Sequence, residues 1–328
     1  MPERSALTQG IQVGVEATPG TGVAAGKQLT QVGFEPGIAV DMSTFRPMGT
    51  KYQTVVVPGK EWTEFDLSGV GSYSELLYVF SSCLFAPGAP STIDTSARKW
   101  DFNPASASED TVKTLTIEQG GAVRAHKFTY GLVTEFELDL SRDGCELSGS
   151  GIGQRISDAI TLTATPTGVE QKPFLPTDID VWLDTTSGAL GTTKLTRVLS
   201  CNVKVGDRFN PVWVLNSTLP SFVAHVEAEP SAEITVLQEA DAEGMAQLVQ
   251  MRGAITKFAR VGATSPDLAG AATQKYTWTF DAAVKVADNG GFSDEDGVYA
   301  TEWTFTIVHD STWTKAMTTS LINKVTAL

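Results

Sequence analysis

The 328-residue chain is acidic, with 38 Asp and Glu residues against 24 Lys and Arg and a formal charge of −14. This charge argues against a protein that grips phosphate backbones with a basic face. A hydrophobic content of 41% over this length is enough for two medium domains, each with its own core.

The sequence lacks the signatures of export, of a membrane span and of a metal site. Residues 1–22 have no apolar stretch like that of a signal peptide, and no later stretch approaches the roughly 20 apolar residues that cross a bilayer. We therefore expect no membrane association and no export by that route. The cysteines Cys83, Cys145 and Cys201 lack CxxC spacing, which favours reduced core thiols over disulfides or zinc ligands.

Alternation of apolar and polar residues with a period of two predicts an all-β fold. In residues 132–140 (LVTEFELDL) it puts Leu132 and Thr134 on the same inward face as Phe136. The strand candidates in chain order are 54–57, 62–67, 115–118, 132–140, 195–205, 222–229, 274–286 and 299–309.

Two segments favour a helix over a strand. In SYSELLYVFSSCL (72–84), Ser72 is a candidate N-cap and Glu75 completes a capping box. In DAEGMAQLVQMRG (241–253), apolar residues share one face and Gly253 is a stop signal.

The two halves of the chain show the same order of elements at a shift of about 166 residues, which predicts an internal duplication. The alternative is that two β-rich stretches align by chance. The predicted domains are residues 1–168 and 169–328, joined in the Pro- and Gly-rich stretch 165–176. The matched segments are 27–32 with 193–198, 61–67 with 233–239, 113–118 with 275–280, and 131–144 with 297–311.

With these features, the chain resembles the tail tube (major tail) proteins of long-tailed bacteriophages, the siphophages. The resemblance rests on GVEATPGTG (14–22), on the long turn 34–62, on the helix candidate 72–84 and on the hairpin KFTYGLVTEFELDLSRDG (127–144). It implies two similar β-sandwich or partial-barrel tube domains, each with one flanking α-helix. Six such domains would form a ring with a large inner β-barrel, so a duplicated chain would form it as a trimer and a single-domain chain as a hexamer.

The resemblance implies a structural protein of the virion tail, made in the host cytoplasm, and no enzyme. Stacked rings would form the conduit for ejection of the dsDNA genome. The implied partners are copies of the chain itself, the tape measure protein, the tail terminator and baseplate proteins, and dsDNA in transit without specific binding; no cofactor is implied. A virion binding module with two β-sandwich domains, such as a decoration protein or an adhesin, is the alternative.

A conduit with acidic walls guides DNA without holding it. The candidates for lumen-facing carboxylates are Glu135, Glu137 and Asp139, with Glu302 at the matching place in the second half. Alternation does not distinguish the lumen from the solvated outside of a sheet, so both placements stay open.

The segment 40–57 is more apolar than a surface loop without a binding partner, and an exposed segment of this kind is typical of an interface. The alternative is a lid on the chain's own core. The resemblance to tail tube proteins implies that Asp41–Gln53 and its counterpart Asp207–Ser217 make ring-stacking contacts. The candidate residues are Asp41, Met42, Phe45, Met48, Tyr52, Phe209 and Trp213.

No motif for catalysis is recognisable. The three histidines His126, His225 and His309 form no HExxH or Cys/His pattern, and there is no GxSxG elbow. The segment 288–297 fails the EF-hand register and is interpreted as an acidic hairpin loop, and the glycines of 148–155 as a turn.

Overall fold

The computed structural model describes residues 9–121, 123–215, 220–271 and 273–328. The chain is mostly β-strand, which confirms the predicted all-β class. In the first half the elements are β1 (Gly10–Val15), β2 (Lys27–Leu29), β3 (Val32–Phe45), β4 (Val55–Val70), helix α1 (Leu76–Cys83), β5 (Ser91–Thr92), β6 (Arg98–Phe102), β7 (Leu115–Gly120), β8 (Ala125–Ser141), β9 (Gly144–Gly153), β10 (Ser157–Asp158) and β11 (Thr167–Gly168).

The second half holds nine strands and one α-helix among its described residues. No helix in the described part of the chain is long and apolar enough to cross a membrane. The elements are β12 (Ile179–Asp184), β13 (Val198–Gly206), β14 (Phe209–Val212), β15 (Ala224–Glu227), β16 (Ser231–Glu239), helix α2 (Gln247–Gly253), β17 (Lys257–Leu268), β18 (Lys275–Glu295), β19 (Val298–Ile307) and β20 (Met317–Asn323).

A central antiparallel sheet runs through both halves in the order β3-β4-β9-β8-β13-β16-β19-β18. The first residues of the long strands β8 and β18 also pair with strands of a second sheet. There β8 pairs with β7 and β10, and β18 pairs with β17 and β20. Strand β20 also pairs with β6 of the first half.

Each half repeats one order of antiparallel pairings. It is β1-β7-β8-β9-β4-β3 in the first half and β12-β17-β18-β19-β16-β13 in the second. In this order the counterpart of β8 is β18, so the sequence matches of 131–144 with 297–311 and of 113–118 with 275–280 are wrong by one strand. Two register shifts in β18, after Val286 and after Asn289, interrupt its alternation of apolar and polar residues. The second part of β18 therefore does not show the alternation by which β8 was matched.

A pair of glutamates makes matching contacts in the two halves. The carboxylate of Glu75 accepts hydrogen bonds from the backbone N–H and the hydroxyl of Thr30, at 2.9 and 3.1 Å. The carboxylate of Glu243 accepts the same two hydrogen bonds from Thr196. The predicted capping box is therefore only half formed. The hydroxyl of Ser72 accepts a hydrogen bond of 3.4 Å from the backbone N–H of Glu75, but the carboxylate of Glu75 binds the chain just before β3 rather than the start of α1.

The two halves share one hydrophobic core, and the prediction of two separate cores is wrong. A single cluster of buried side chains holds Phe65 and Phe136 from the first half and Val203, Trp278 and Trp303 from the second. Pairing of β8 with β13 and of β6 with β20 joins the halves through the backbone as well. All eight residues of α1 are buried, so this helix is a core element rather than one that flanks a sheet.

The alternation predicted for β18 is confirmed, since Trp278, Phe280 and Val284 are all buried. In β8 a register shift between Val133 and Glu135 turns Val133 into the main core in place of Leu132. A β-bulge of this kind adds one residue and reverses the faces before it.

The glycine-rich segment 148–155, predicted as a turn, lies mostly in β9. A Cβ on Gly151 would lie 2.1 Å from the ring of Phe65, and one on Gly153 would lie 2.4 Å from Phe128. Glycine is required there because two aromatic rings fill the space that side chains would occupy.

Candidate functional site

One face of the central sheet packs on the core, and the opposite face, which we call the acidic face, is rich in carboxylates. Residues directly opposite each other in paired strands share a face. Asp66 is opposite Ser150, and Ser150 is opposite Glu135, which links β4, β9 and β8. Tracing such pairs from β3 to β18 places on this face Glu35, Glu64, Asp66, Glu135, Glu137, Asp139, Glu146, Glu233 and Glu302, with Lys204 and Lys285 among them.

Two of the predicted carboxylates are held by the second half of the chain. Lys204 Nζ lies 3.0 Å from Glu135 Oε1 and 3.7 Å from Glu137 Oε2. Asn202 Nδ2 donates a hydrogen bond of 2.6 Å to Glu137 Oε1. The junction of β8 and β13 is therefore polar on this face, and the lysine offsets part of the local negative charge.

Glu302 lies on the acidic face together with Glu135, although its strand is the counterpart of β9 rather than of β8. The sequence analysis missed other members of the face, such as Glu64 and Asp66. Their signal is the alternation in EWTEFDL, which puts both on one side of β4.

Asp139 is an exposed carboxylate with like charges beside it. It lies opposite Glu146 in the sheet, and like charges in that position repel. Burial raises the pKa of Asp139, and the charges of Glu137 and Glu146 raise it further.

We expect Asp139→Asn to raise the free energy of unfolding at pH 7, by less than about 1 kcal/mol because the site is partly exposed. A raised carboxyl pKa means that the ionised form destabilises the folded state, and that this penalty fades as the pH falls through the folded-state pKa. Urea unfolding at pH 7 and pH 3 should show the gain at pH 7 alone. Glu302→Gln is the control: Glu302 lies opposite the uncharged Leu237, so we expect a smaller gain in stability. An equal gain for Asp139→Asn at both pH values would contradict charge repulsion as the cause.

The hairpin of β3 and β4 carries an exposed apolar arm, residues 40–60. Phe45 is 56% exposed and Tyr52 72%, and Met42 and Met48 are also exposed. The alternative of a lid on the chain's own core is therefore wrong. At about 3.3 Å per strand residue, the ten residues from the base to the tip reach about 30 Å.

The corresponding hairpin of the second half folds back on the first half. We call its described residues, 207–215 and 220–228 with β14 and β15, the second arm. Phe209 is 5% exposed and packs in a small cluster with Val112 and Leu132, and Trp213 packs edge-on against Trp62 with ring centroids 5.4 Å apart. The burial of Phe209 leaves it little surface for the predicted ring-stacking contact. Trp213 keeps part of its surface exposed, and its ring-stacking contact stays a prediction. Residues 216–219, which include the end of the predicted segment Asp207–Ser217, lie outside the described residues.

The second arm is fixed by a buried arginine. Arg208 is 2% exposed, and its guanidinium lies 2.8 Å from both Asp110 Oδ2 and Glu227 Oε1. It also donates hydrogen bonds of 3.1 Å to the carbonyls of Cys83 and Leu84 at the end of α1. No sequence signal marked Arg208, because Asp110 and the helix end lie about a hundred residues or more before it.

The central sheet has two open edges. Among the described residues, β3 pairs with β4 alone, and β18 beyond Val284 pairs with β19 alone. Their counterparts β13 and β8 pair with each other, with Val203 opposite Leu138. Pro36 in β3 is typical of an edge strand. An open strand edge is a template for pairing with another chain.

The described residues offer no centre for metal chemistry: no group of three or more His, Cys, Asp or Glu among them is placed to hold an ion. The three cysteines are buried and free. No known protein family matches the chain by its family model, and no curated protein is similar to it in sequence. The acidic face, the arm and the two open edges are the surfaces on which the proposal below rests.

Proposed function

We propose that the chain is the structural subunit of a phage tail tube, which assembles with itself into stacked rings and forms the conduit for dsDNA ejection. The observation that carries this proposal is the repeated strand order with its ends left open. The halves join by pairing of β13 with β8, while the equivalent edges β3 and β18 have no partner among the described residues. Contacts that run head to tail in this way close into rings when the rotation permits.

The strand order and the matched glutamates support an internal duplication, and with it a trimeric ring. A chain contributes eight strands to the central sheet, so three chains would give 3 × 8 = 24 strands in one inner barrel. A barrel of this number of strands encloses a wide channel rather than a packed interior.

The acidic face would line the channel, because the opposite face of the same sheet is occupied by the core. Three chains would carry 3 × −14 = −42 formal charges in one ring. Carboxylates on the wall oppose the release of counterions that makes proteins stick to DNA. The tape measure protein inside the tube, terminator and baseplate proteins at its ends, and a place in the virion tail after assembly in the host cytoplasm follow from the same proposal.

Negative-stain electron microscopy of the purified chain, paired with its mass in solution, tests the proposal. We expect rings or hollow tubes with sixfold features and three chains per ring. Six chains per ring would keep the function and overturn the trimer. A chain that stays monomeric at all concentrations and binds cell-surface glycans would favour the virion binding module instead.

In the same assay we expect Phe45→Asp combined with Tyr52→Asp to abolish stacking of rings into tubes, because charges at the tip of the arm prevent burial of its apolar surface. The thermal unfolding of the free chain should not change, since both side chains are exposed. Val123→Asp changes an exposed apolar residue outside the arm and should assemble normally. Tubes of normal length from the arm variant would show that the tip makes no stacking contact.

A further inference from the structure

The contact between the second arm and the first half is a template for a contact between chains. Phe209 is covered by Val112 and Leu132 within the chain, and Val112 is 6% exposed. Arg208, the residue before Phe209 on the second arm, forms an ion pair with Asp110, which lies two residues before Val112. If the two halves are equivalent, the first arm has an equivalent site on a second half.

Pairing registers identify the equivalent of Phe209. The hairpin ladders start at Val32 opposite Gly69 in the first half and at Val198 opposite Gln238 in the second. Strand β13 has one bulge residue after Val198 and ends at Gly206, so Phe209, the first residue of β14, lies 209 − 198 − 1 = 10 steps beyond Val198. The residue 10 steps beyond Val32 is Met42, and the residue before it, Asp41, takes the place of Arg208.

The equivalent of Val112 follows from the ladders β1–β7 and β12–β17. Each ladder has six pairs, and the last pairs are Val15 with Leu115 and Asp184 with Phe258. Val112 lies 115 − 112 = 3 residues before its ladder residue, and the residue at the same offset from Phe258 is 258 − 3 = 255, Ile255. Both Val112 and Ile255 follow the helix of their half.

The two equivalent side chains are exposed where the template pair is buried. Met42 is 58% exposed and Ile255 is 43% exposed. The charges near them are also opposite, with the signs exchanged. Asp41 lies on the arm, and Arg252 lies in the last turn of α2, one residue before Gly253, the position that corresponds to Asp110. Arg252 is exposed and forms no ion pair with a described residue.

We propose that in the assembly the base of the arm docks on the second half of the neighbouring chain, with Met42 on Ile255 and Asp41 beside Arg252. This inference rests on the proposed self-assembly and names the surface that each copy offers to the next. Residues beyond Phe45 stay outside this contact and are free for the next ring. The occupant is a second copy of this chain, because only its arm repeats the geometry by which the second arm is bound.

Cross-linking between two variants, each with one cysteine added to the three buried native ones, tests the contact. Met42→Cys and Ile255→Cys chains are mixed, assembled, isolated by sedimentation and oxidised, and the product is read on a non-reducing gel. A disulfide needs Cα atoms about 4.4–6.8 Å apart, so we expect a species of twice the chain mass from the mixture and from neither variant alone. Burial raises the pKa of the Cys83 and Cys145 thiols to about 12, which keeps them unreactive.

Met42→Cys mixed with Val123→Cys is the matched control and should give no cross-link. Adding Asp41→Arg to the Met42→Cys chain should lower the yield several-fold, and adding Arg252→Asp to the Ile255→Cys chain should restore it. Assemblies without the Met42 to Ile255 cross-link would overturn the docking contact and leave the tube proposal standing. Absence of any assembly would overturn both.

Discussion

Replacing Arg208 by methionine is expected to lower the free energy of unfolding by about 3–5 kcal/mol, the cost of removing one partner from a buried ion pair. The substitution leaves the carboxylate of Asp110 without its cation at a site where its side chain is fully buried. It also leaves the carbonyls of Cys83 and Leu84 without their donor. Urea unfolding of the free chain measures the effect.

Arg197→Met is the matched control, because Arg197 forms exposed pairs with Glu239 and Asp241. Exposed ion pairs contribute about 0–1 kcal/mol, so this variant should unfold close to the parent protein. Similar losses for both arginines would show that Arg208 does not anchor the second arm. The Arg208 variant should also expose Trp213, which a red shift of tryptophan fluorescence would report.

Truncating Glu75 is expected to cost about 3–5 kcal/mol. Its carboxylate is fully buried and accepts hydrogen bonds from the backbone N–H groups of Thr30, Gln31 and Val32. Glu75→Ala leaves these three donors without their acceptor, and a buried unsatisfied donor costs about 1–3 kcal/mol. Chemical denaturation at neutral pH measures the loss.

Glu243 gives the control for Glu75 inside the same molecule. It makes the matching contacts to Thr196 at a partly exposed site, where water can replace a lost acceptor. We expect Glu243→Ala to cost about 1 kcal/mol. If Glu243→Ala cost as much as Glu75→Ala, burial would not be the cause of the difference.

The corresponding hairpins of the two halves differ in whether they pack on the chain itself. In the second half the chain breaks after β13 at Asp207, which has a positive φ of 56°, and Arg208 then anchors the hairpin on the first half. In the first half the strand continues through Asp41 into an exposed arm. The difference leaves one arm per chain exposed, as the proposed repeating assembly requires.

The sequence by itself determined the features that depend on local periodicity. Alternation in 274–286 identified the buried side of β18, with Trp278 and Phe280 inward. The apolar content of 40–57 marked a segment that either contacts another molecule or covers the chain's own core, and the exposure of Phe45 and Tyr52 in the structure excluded the second alternative. Both signals lie within one strand or one hairpin, where the period of two is read directly.

Only the tertiary structure decided the pairings between distant segments. The bulge that brings Val133 into the core, the single core shared by both halves, and the partners of Glu75 and Arg208 all depend on contacts between residues at least 16 positions apart. Alternation with a period of two predicts which residues of a strand share a face, but it does not predict which other strand pairs with that strand. Phe136 and Val205, 69 positions apart, share the main core because β13 pairs with β8, and that choice was made by packing over the whole chain.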